Sequence, residues 1–332
     1  MADSFSVDDR VYGRWEVSDP LALSLIALPA FQRLYQVGQY GSYWFGLPHA
    51  NTNRAEHSLG VYYVLKHFNA SYEEQIAGLL HDISHTVFSH VIDYVYNDVQ
   101  AQGVQDRAHA SIIKQGAIQE LLSRAGFAHE RIADLELFPM LDRELPDLCA
   151  DRLDYFLRDS VCYGEMTPQE ALGILLHISY AGGMFVFDDP DIARFVCLHS
   201  LRMNEQRWGP PFGCFMFERT SEAIKRACSL GVISEADFYG TDREVLERMR
   251  ASGDDEILSA LSDVEHIQEL KLCLDPENYD YHLTSKFRGV DPLVMVNNAV
   301  RRVTDIYPEV RERFEESKKR FQDGYCIRVV RE

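Results

Sequence analysis

Basic residues are the scarce class in this chain. Lys and Arg total 33 against 52 Asp and Glu, a net charge of −19 over 332 residues. A surface of that sign repels a phosphate backbone, because nucleic-acid binding rests on clustered cations. A nucleic-acid polymer is therefore not the expected partner; a small phosphate ligand in a pocket stays open. No CxxC pair occurs, and the seven cysteines stand singly at 149, 162, 197, 214, 228, 273 and 326. An odd, dispersed set argues against a disulfide framework and suits reduced thiols. No apolar run reaches the roughly 18 residues that span a bilayer; LALSLIALPAF at 21–31 comes nearest. The opening MADSFSVDDR is acidic and polar, unlike a secretory leader, so the expected location is the cytoplasm. Internal repeats, low-complexity tracts and linker composition are also missing.

What the chain does have is core. Hydrophobic residues make up 46% of it, ample for one large core or two domains, since a single core stops growing near about 250–300 residues. DRVYGRWEVSDP reads as a short hairpin leading to a helix start, with Asp19 as N-cap and Pro20 at the first helical position. LALSLIALPAFQRLYQVG reads as a helix bent at Pro29. Apolar spacing of i, i+3, i+4 predicts helices near 54–68, 73–96, 107–126 and 141–160, and then at 190–206, 214–230, 241–251, 254–271 and 291–321. GGMFVFDDP at 182–190 is the best internal strand candidate, and GYCIRVVRE at the end is a second. The fold class is mainly α with a few short strands. It reads as one unit over 1–230 with a C-terminal helical extension over 231–332.

The chemistry concentrates in LLHDISHTVFSH, residues 79–90. Three histidines and an aspartate in an otherwise apolar segment are costly without partners. His81 and Asp82 are adjacent, and a divalent metal beside the helix accepts imidazole and carboxylate together. His57 in NRAEHSLGV, and Asp151 or Asp154 in LCADRLDYFLRDS, are candidates to complete the set. A mixed His/Asp set with open positions suits a catalytic metal better than a structural one. His85 and His90 can line the same cavity. Asp93, three residues after His90, can orient it, as a general acid requires. His67, His129, His177, His199, His266 and His282 have no neighbours suggesting a shared ligand and read as ordinary structural residues.

FQRLYQVGQYG, NRAEHSLGV, LLHDISHTVFSHVID and ADRLDYFLRDS, in that order, resemble the HD superfamily of metal-dependent phosphohydrolases, in its deoxynucleoside triphosphate triphosphohydrolase branch. The likeness is dense through residue 160 and thin beyond it. It implies an HD-type helical bundle, with His57, His81, Asp82 and Asp151 as the metal ligands and Asp154 outside that set. It places Arg54 and Arg152 against substrate phosphates; Arg152 stands where animal members carry lysine, and arginine grips phosphate in bidentate fashion. His85, His90, Asp93 and His109 match a polar cluster at the scissile bond. Gln39, Tyr155 and Asp159 match sugar contacts, and Arg202 is the candidate for a further phosphate arginine. The later family tyrosine and histidine are missing from LRMNEQRWGPPFGCF, where Gly-Pro-Pro breaks the helix. Tyr40 replaces a smaller aliphatic beside Gln39.

The resemblance implies hydrolysis of a deoxynucleoside triphosphate to nucleoside and triphosphate, with a divalent metal drawn from Fe, Mn, Ni, Co, Zn or Mg. Relatives assemble as dimers or tetramers, so a homo-oligomer is expected, with a small nucleotide as partner and no membrane. The alternatives are an HD phosphohydrolase for another phosphoester, such as a monophosphate or modified nucleotide, and a nucleotide-binding regulator without turnover.

Overall fold

In the computed structural model, which describes residues 4–330, the chain starts with the expected hairpin. Strands Phe5–Asp9 and Gly13–Val17 pair antiparallel, Phe5 opposite Val17. Asp9 closes the turn by accepting the Val11 and Tyr12 amides at 2.7 and 3.0 Å. The helix Pro20–Ile26 is capped by Asp19, which accepts the Ala22 amide at 2.7 Å. It does not bend at Pro29 but stops, and a new turn begins at Pro29–Gln32. Leu28 is extended, as the residue before a proline must usually be.

Of the chain, 54% is helical, so the mainly α expectation holds. Three helices frame the site: Arg54–His67, Tyr72–Leu80 and Ala150–Cys162. Asn53 and Ser71 cap the first two through the Glu56 and Glu74 amides. The continuous helix expected over 73–96 ends at Leu80. Turns carry the chain to the short helix Val91–Val95. The break has a tertiary cause. The Val87 amide donates to the Phe238 carbonyl at 2.8 Å, and the Phe88 amide to Asp242 Oδ1 at 2.7 Å. Phe88 and Ser89 take left-handed φ of 53° and 47°, which non-glycine residues adopt only when surroundings hold them.

Three other helix expectations are revised. The 107–126 segment splits into Val104–Ile113 and Gly116–Arg124, the second opening on Gly116 at φ 57°. The 141–160 helix starts only at Ala150, because Pro146 cannot continue a helical ladder. The 291–321 segment opens as a hairpin, Leu293–Val296 with Ala299–Arg302, turned by Asn297 and Asn298 at φ 50° and 61°. Two such residues are the signature of a two-residue hairpin turn. Helices Val303–Ile306 and Pro308–Asp323 follow.

The 182–190 candidate is the strand Met184–Phe187. It pairs antiparallel with Ile178–Ala181 and parallel with Leu293–Val296, giving a four-stranded sheet. The C-terminal strand Tyr325–Val330 lies between Lys271–Leu274 and Tyr281–Leu283 in a second sheet; the last two residues of the predicted strand lie outside the described ones. The largest buried apolar cluster surrounds the three framing helices, and two smaller ones lie against it, one joining 87–92 to 223–261 and one joining 40–50 to 214–216 and the C-terminal sheet.

Candidate active site

His57 sits in the first turn of Arg54–His67, His81 caps the end of Tyr72–Leu80, Asp82 follows it, and Asp151 opens Ala150–Cys162. His81 and Asp82 face a common point because the helix has ended, not across a helical groove. His57 Nε2 lies 2.9 Å from Asp151 Oδ1 and 3.2 Å from His81 Nε2. His81 Nε2 is 3.6 Å from Asp151 Oδ1 and 3.5 Å from Asp82 Oδ1. Bonds of about 2.1 Å to a first-row metal imply ligand–ligand spacings of roughly 3.0–3.4 Å, and this set falls in or near that range.

The proton positions strengthen the fit. His81 Nδ1 is 2.7 Å from the Gly78 carbonyl and His57 Nδ1 is 2.8 Å from Asp154 Oδ2. Carbonyl and carboxylate only accept, so both Nδ1 atoms carry hydrogen. Both Nε2 lone pairs then point at each other and at Asp151, an arrangement that needs a cation or a proton between them. A proton can do it: burial would lower the pKa of His57, but the bonds to Asp151 and Asp154 carry it to about 10. A divalent metal fits the same mixed donor set. Asp151 is 27% exposed while His57 is 1% exposed, so the cluster opens on its Asp151 side.

Behind His57 lies a buried ion network. Asp154 accepts from Arg158 at both oxygens, 2.9 Å each, and from the Tyr12 hydroxyl at 2.8 Å. Arg158 also donates to Asp9 at 2.9 Å. Orienting carboxylates of this kind fix the tautomer and ring of a metal-binding histidine.

The cluster opens into a cavity of about 210 Å³; one water needs only about 10–15 Å³ of such space, so the cavity admits a small organic molecule. His85 Nε2 is 3.2 Å from Asp82 Oδ1. Burial, with Arg54 nearby, pushes the His85 pKa down to about 3. His90 Nδ1 is 2.9 Å from Asp93 Oδ2, and His90 Nε2 accepts from Arg288 at 3.2 Å. Burial and then Arg288 hold the His90 pKa well below its ordinary value, so the ring is neutral; burial raises Asp93 to about 6. His109 is buried with Nδ1 3.3 Å from Ser84 Oγ, but it does not line the cavity.

Arg54 lines the cavity with its charge already engaged, at 2.8 Å from Asp82 and 2.9 Å from Ser89 Oγ. Arg152 donates to Cys149 Sγ at 3.0 Å and lies 3.4 Å from Asp142. Gln39, Tyr155 and Asp159 also line the cavity. Asp159 accepts from Trp208 Nε1 at 2.6 Å. Arg202 is elsewhere: it pairs with Glu165, is 46% exposed and lines no part of the cavity. Its helix runs into a π-turn at Asn204–Trp208. Within that turn Arg207 and Trp208 line the cavity, with Arg207 over the Tyr163 ring at 4.8 Å. The spacing of LRMNEQRWGPP signalled a helix end but not the π-turn. Lys286 and Arg288 also line the cavity; their only signal was two cations flanking a phenylalanine before Gly289.

The family model of the HD domain matches residues 54–159, the span that carries all four clustered donors. YdhJ of Bacillus subtilis, an uncharacterized protein, is 31% identical over 98% of this chain and 99% of its own length. The metal-dependent phosphohydrolase cns2 of Cordyceps militaris is 28% identical over 79% of this chain and 78% of its own. The chicken deoxynucleoside triphosphate triphosphohydrolase SAMHD1 is 36% identical, but over 29% of this chain and 18% of its own. Among solved structures, a phosphohydrolase from Bacteroides thetaiotaomicron superposes with a TM-score of 0.76 at 17% identity over 99% of this chain and 100% of its own. A hypothetical protein from Aquifex aeolicus does so at 0.71 and 19%, over 95% and 99%. The likeness to the two structures concerns the fold. The match along nearly the whole of YdhJ, together with the HD model over the clustered donors, makes this chain a member of the HD-domain family, which has a metal-dependent phosphohydrolase among its relatives.

Proposed function

We propose that this protein hydrolyses a nucleotide at the phosphoester next to the sugar, with a deoxynucleoside triphosphate as substrate and nucleoside and triphosphate as products. The observation that carries the reading is the facing donor set of His57, His81 and Asp151, with Asp82 beside it, opening into a cavity lined by five cationic side chains and several aromatic ones. A divalent metal held by these four residues supplies Lewis acidity toward a phosphoryl oxygen and lowers the pKa of a water. Arg54, held by Asp82 and Ser89, keeps a fixed positive charge at the donor cluster. Arg152 offers donors to the phosphate oxygens. His90 is neutral in the free protein because of burial and the nearby guanidinium groups. An anionic substrate offsets those charges and lets His90 take a proton, which Asp93 then stabilises through Nδ1. That proton passes to the departing sugar oxygen. Tyr40, Tyr155 and Trp208 offer faces for the sugar and base.

A second reading, hydrolysis of another phosphoester, is favoured by one feature. Trp208 already occupies one oxygen, Oδ2, of Asp159, a group the family resemblance assigns to the sugar. A panel of deoxynucleoside tri- and monophosphates, assayed with Mn, Fe, Co, Ni, Zn and Mg, separates the two. Free triphosphate supports the first reading and inorganic phosphate the second; no hydrolysis of any triphosphate with any metal overturns the first. The double variant His81→Ala with Asp82→Ala is expected to lose both bound metal and phosphoester cleavage, and full activity in it would refute the site.

A further inference from the structure

The segment 284–292 links the strands Tyr281–Leu283 and Leu293–Val296 and is irregular throughout. It lies outside the HD match, yet it brings Lys286 and Arg288 into the cavity wall. The segment is firmly seated. The Arg288 amide donates to Asn204 Oδ1 at 2.8 Å and the Val290 amide to Ser200 Oγ at 3.2 Å. Both acceptor residues are buried, at 0% and 1% exposure. Asn204 begins the π-turn, and π-turns recur at functional sites. A Cβ on Gly289 would stand 2.5 Å from the Phe287 ring and 2.7 Å from Leu201, so the backbone approaches its neighbours as closely as glycine permits.

The two cations lack counter-ions of their own. Arg288 donates to neutral acceptors, His90 Nε2 and Gln102 Oε1. Lys286 reaches only the Ala101 carbonyl, at 3.5 Å. Among the described residues, neither has a carboxylate within 4.0 Å. Burial and then Arg288 and Arg152 lower the Lys286 pKa, with Asp106 and Asp142 pulling the other way. Cations gathered without matched carboxylates are stabilised by an incoming anion. Five cationic and five aspartate side chains line the cavity; a divalent metal brings the balance to net +2 in a chain of net −19.

We infer that Lys286 and Arg288, with Arg152, form a polyphosphate subsite that selects nucleoside di- and triphosphates over monophosphates. The inference rests on the proposed reading in one respect: the reacting phosphate lies at the donor cluster. The subsite binds the phosphates beyond it. Contacts of a cation with phosphate oxygens are worth about tenfold or more in affinity each.

The test is titration of the metal-loaded protein with the magnesium complex of inorganic tripolyphosphate and, separately, with orthophosphate. Tripolyphosphate should bind at least about tenfold more tightly, Lys286→Met should erase most of that advantage, and Arg288→Lys should keep more of it than Arg288→Met. All three variants should melt near the parent temperature, since the changes lie in partly exposed side chains of a loop. Equal binding of the two anions by the parent protein overturns the subsite, as does parental tripolyphosphate affinity in Lys286→Met. In turnover, Lys286→Met should raise KM for a triphosphate far more than it lowers kcat. Turnover with an unchanged KM refutes the subsite and leaves the phosphohydrolase reading standing. If no nucleotide is turned over, that reading falls and the tripolyphosphate titration still decides the subsite.

Discussion

His57 owes its orientation to a residue that has no place in the donor cluster. Asp154 takes the Nδ1 hydrogen of His57 and is itself clamped by Arg158 and Tyr12. Replacing it as Asp154→Asn removes the charge but keeps the size. Loss of such an orienting carboxylate weakens metal binding by about 10- to 100-fold. It also strips the buried Arg158 of one of its two carboxylate partners, so the melting temperature should drop as well. Metal content after dialysis, read beside a thermal melt, checks both; full metal occupancy in the variant would refute the orienting role. The sequence pattern alone left Asp151 and Asp154 as equal candidates, and family resemblance set Asp154 aside. Its hydrogen bond to a ring 97 positions away is a tertiary fact that spacing does not encode. Arg202 and Arg207 differ for a related reason. Both pair with Glu165, yet of the two it is Arg207 that lines the cavity, a tertiary outcome that periodicity does not reveal.

Between the helices that frame the site, one close constraint is at Gly60. A Cβ there would lie 1.9 Å from Asp154 Oδ1 and 2.2 Å from Arg158 Nη2, so Arg54–His67 and Ala150–Cys162 approach each other only because this position has no side chain. Gly60→Ala should force the helices apart, costing about 1–3 kcal/mol or more by overpacking and lowering metal occupancy with it. Gly173, inside the helix Pro168–Leu175, has nothing within 4 Å of its would-be Cβ. Gly173→Ala should therefore stabilise by about 0.4–1 kcal/mol through the unfolded chain. Denaturant melts of the two variants give opposite signs if this packing is right. Elements with strong local signals were legible: the first hairpin, the capped helices at 54 and 72, the strand at 184. The segment 81–95 was not, because nothing in its composition breaks a helix. The Val87 and Phe88 amide hydrogens are instead claimed by Phe238 and Asp242, about 150 residues later in the chain. The hairpin at 293–302 carried a readable signal, two adjacent asparagines after a short apolar run, that the helical periodicity of the following charged stretch obscured.

At the scale of the molecule, the site depends on chain far from the HD segment, and Asp242 is the clearest tie. Its Oδ2 accepts the Gly38 amide at 2.8 Å and Trp44 Nε1 at 3.1 Å, and its Oδ1 the Phe88 amide at 2.7 Å. One carboxyl group thus joins the loop bearing Gln39 to the turn bearing His85 and His90. Burial pushes its pKa from 3.8 up to about 7, with the three donors and Arg33 opposing only in part. Because the folded value lies above the unfolded one, the native state holds this proton more tightly. The stabilisation is complete below pH 3.8 and is lost as pH rises through about 7, beyond which the contribution is flat. Within that window the slope approaches about 1.4 kcal/mol per pH unit. Asp242→Asn cannot titrate, and its amide group sets a donor against donors, so it should be less stable than the parent at every pH. The gap between the two should be widest near about pH 4 and should narrow toward about pH 8. Denaturant unfolding of both proteins across that range isolates the group, since every other titration cancels in the difference. A gap that stays constant with pH would mean that Asp242 is ionised throughout, with its three donors outweighing burial.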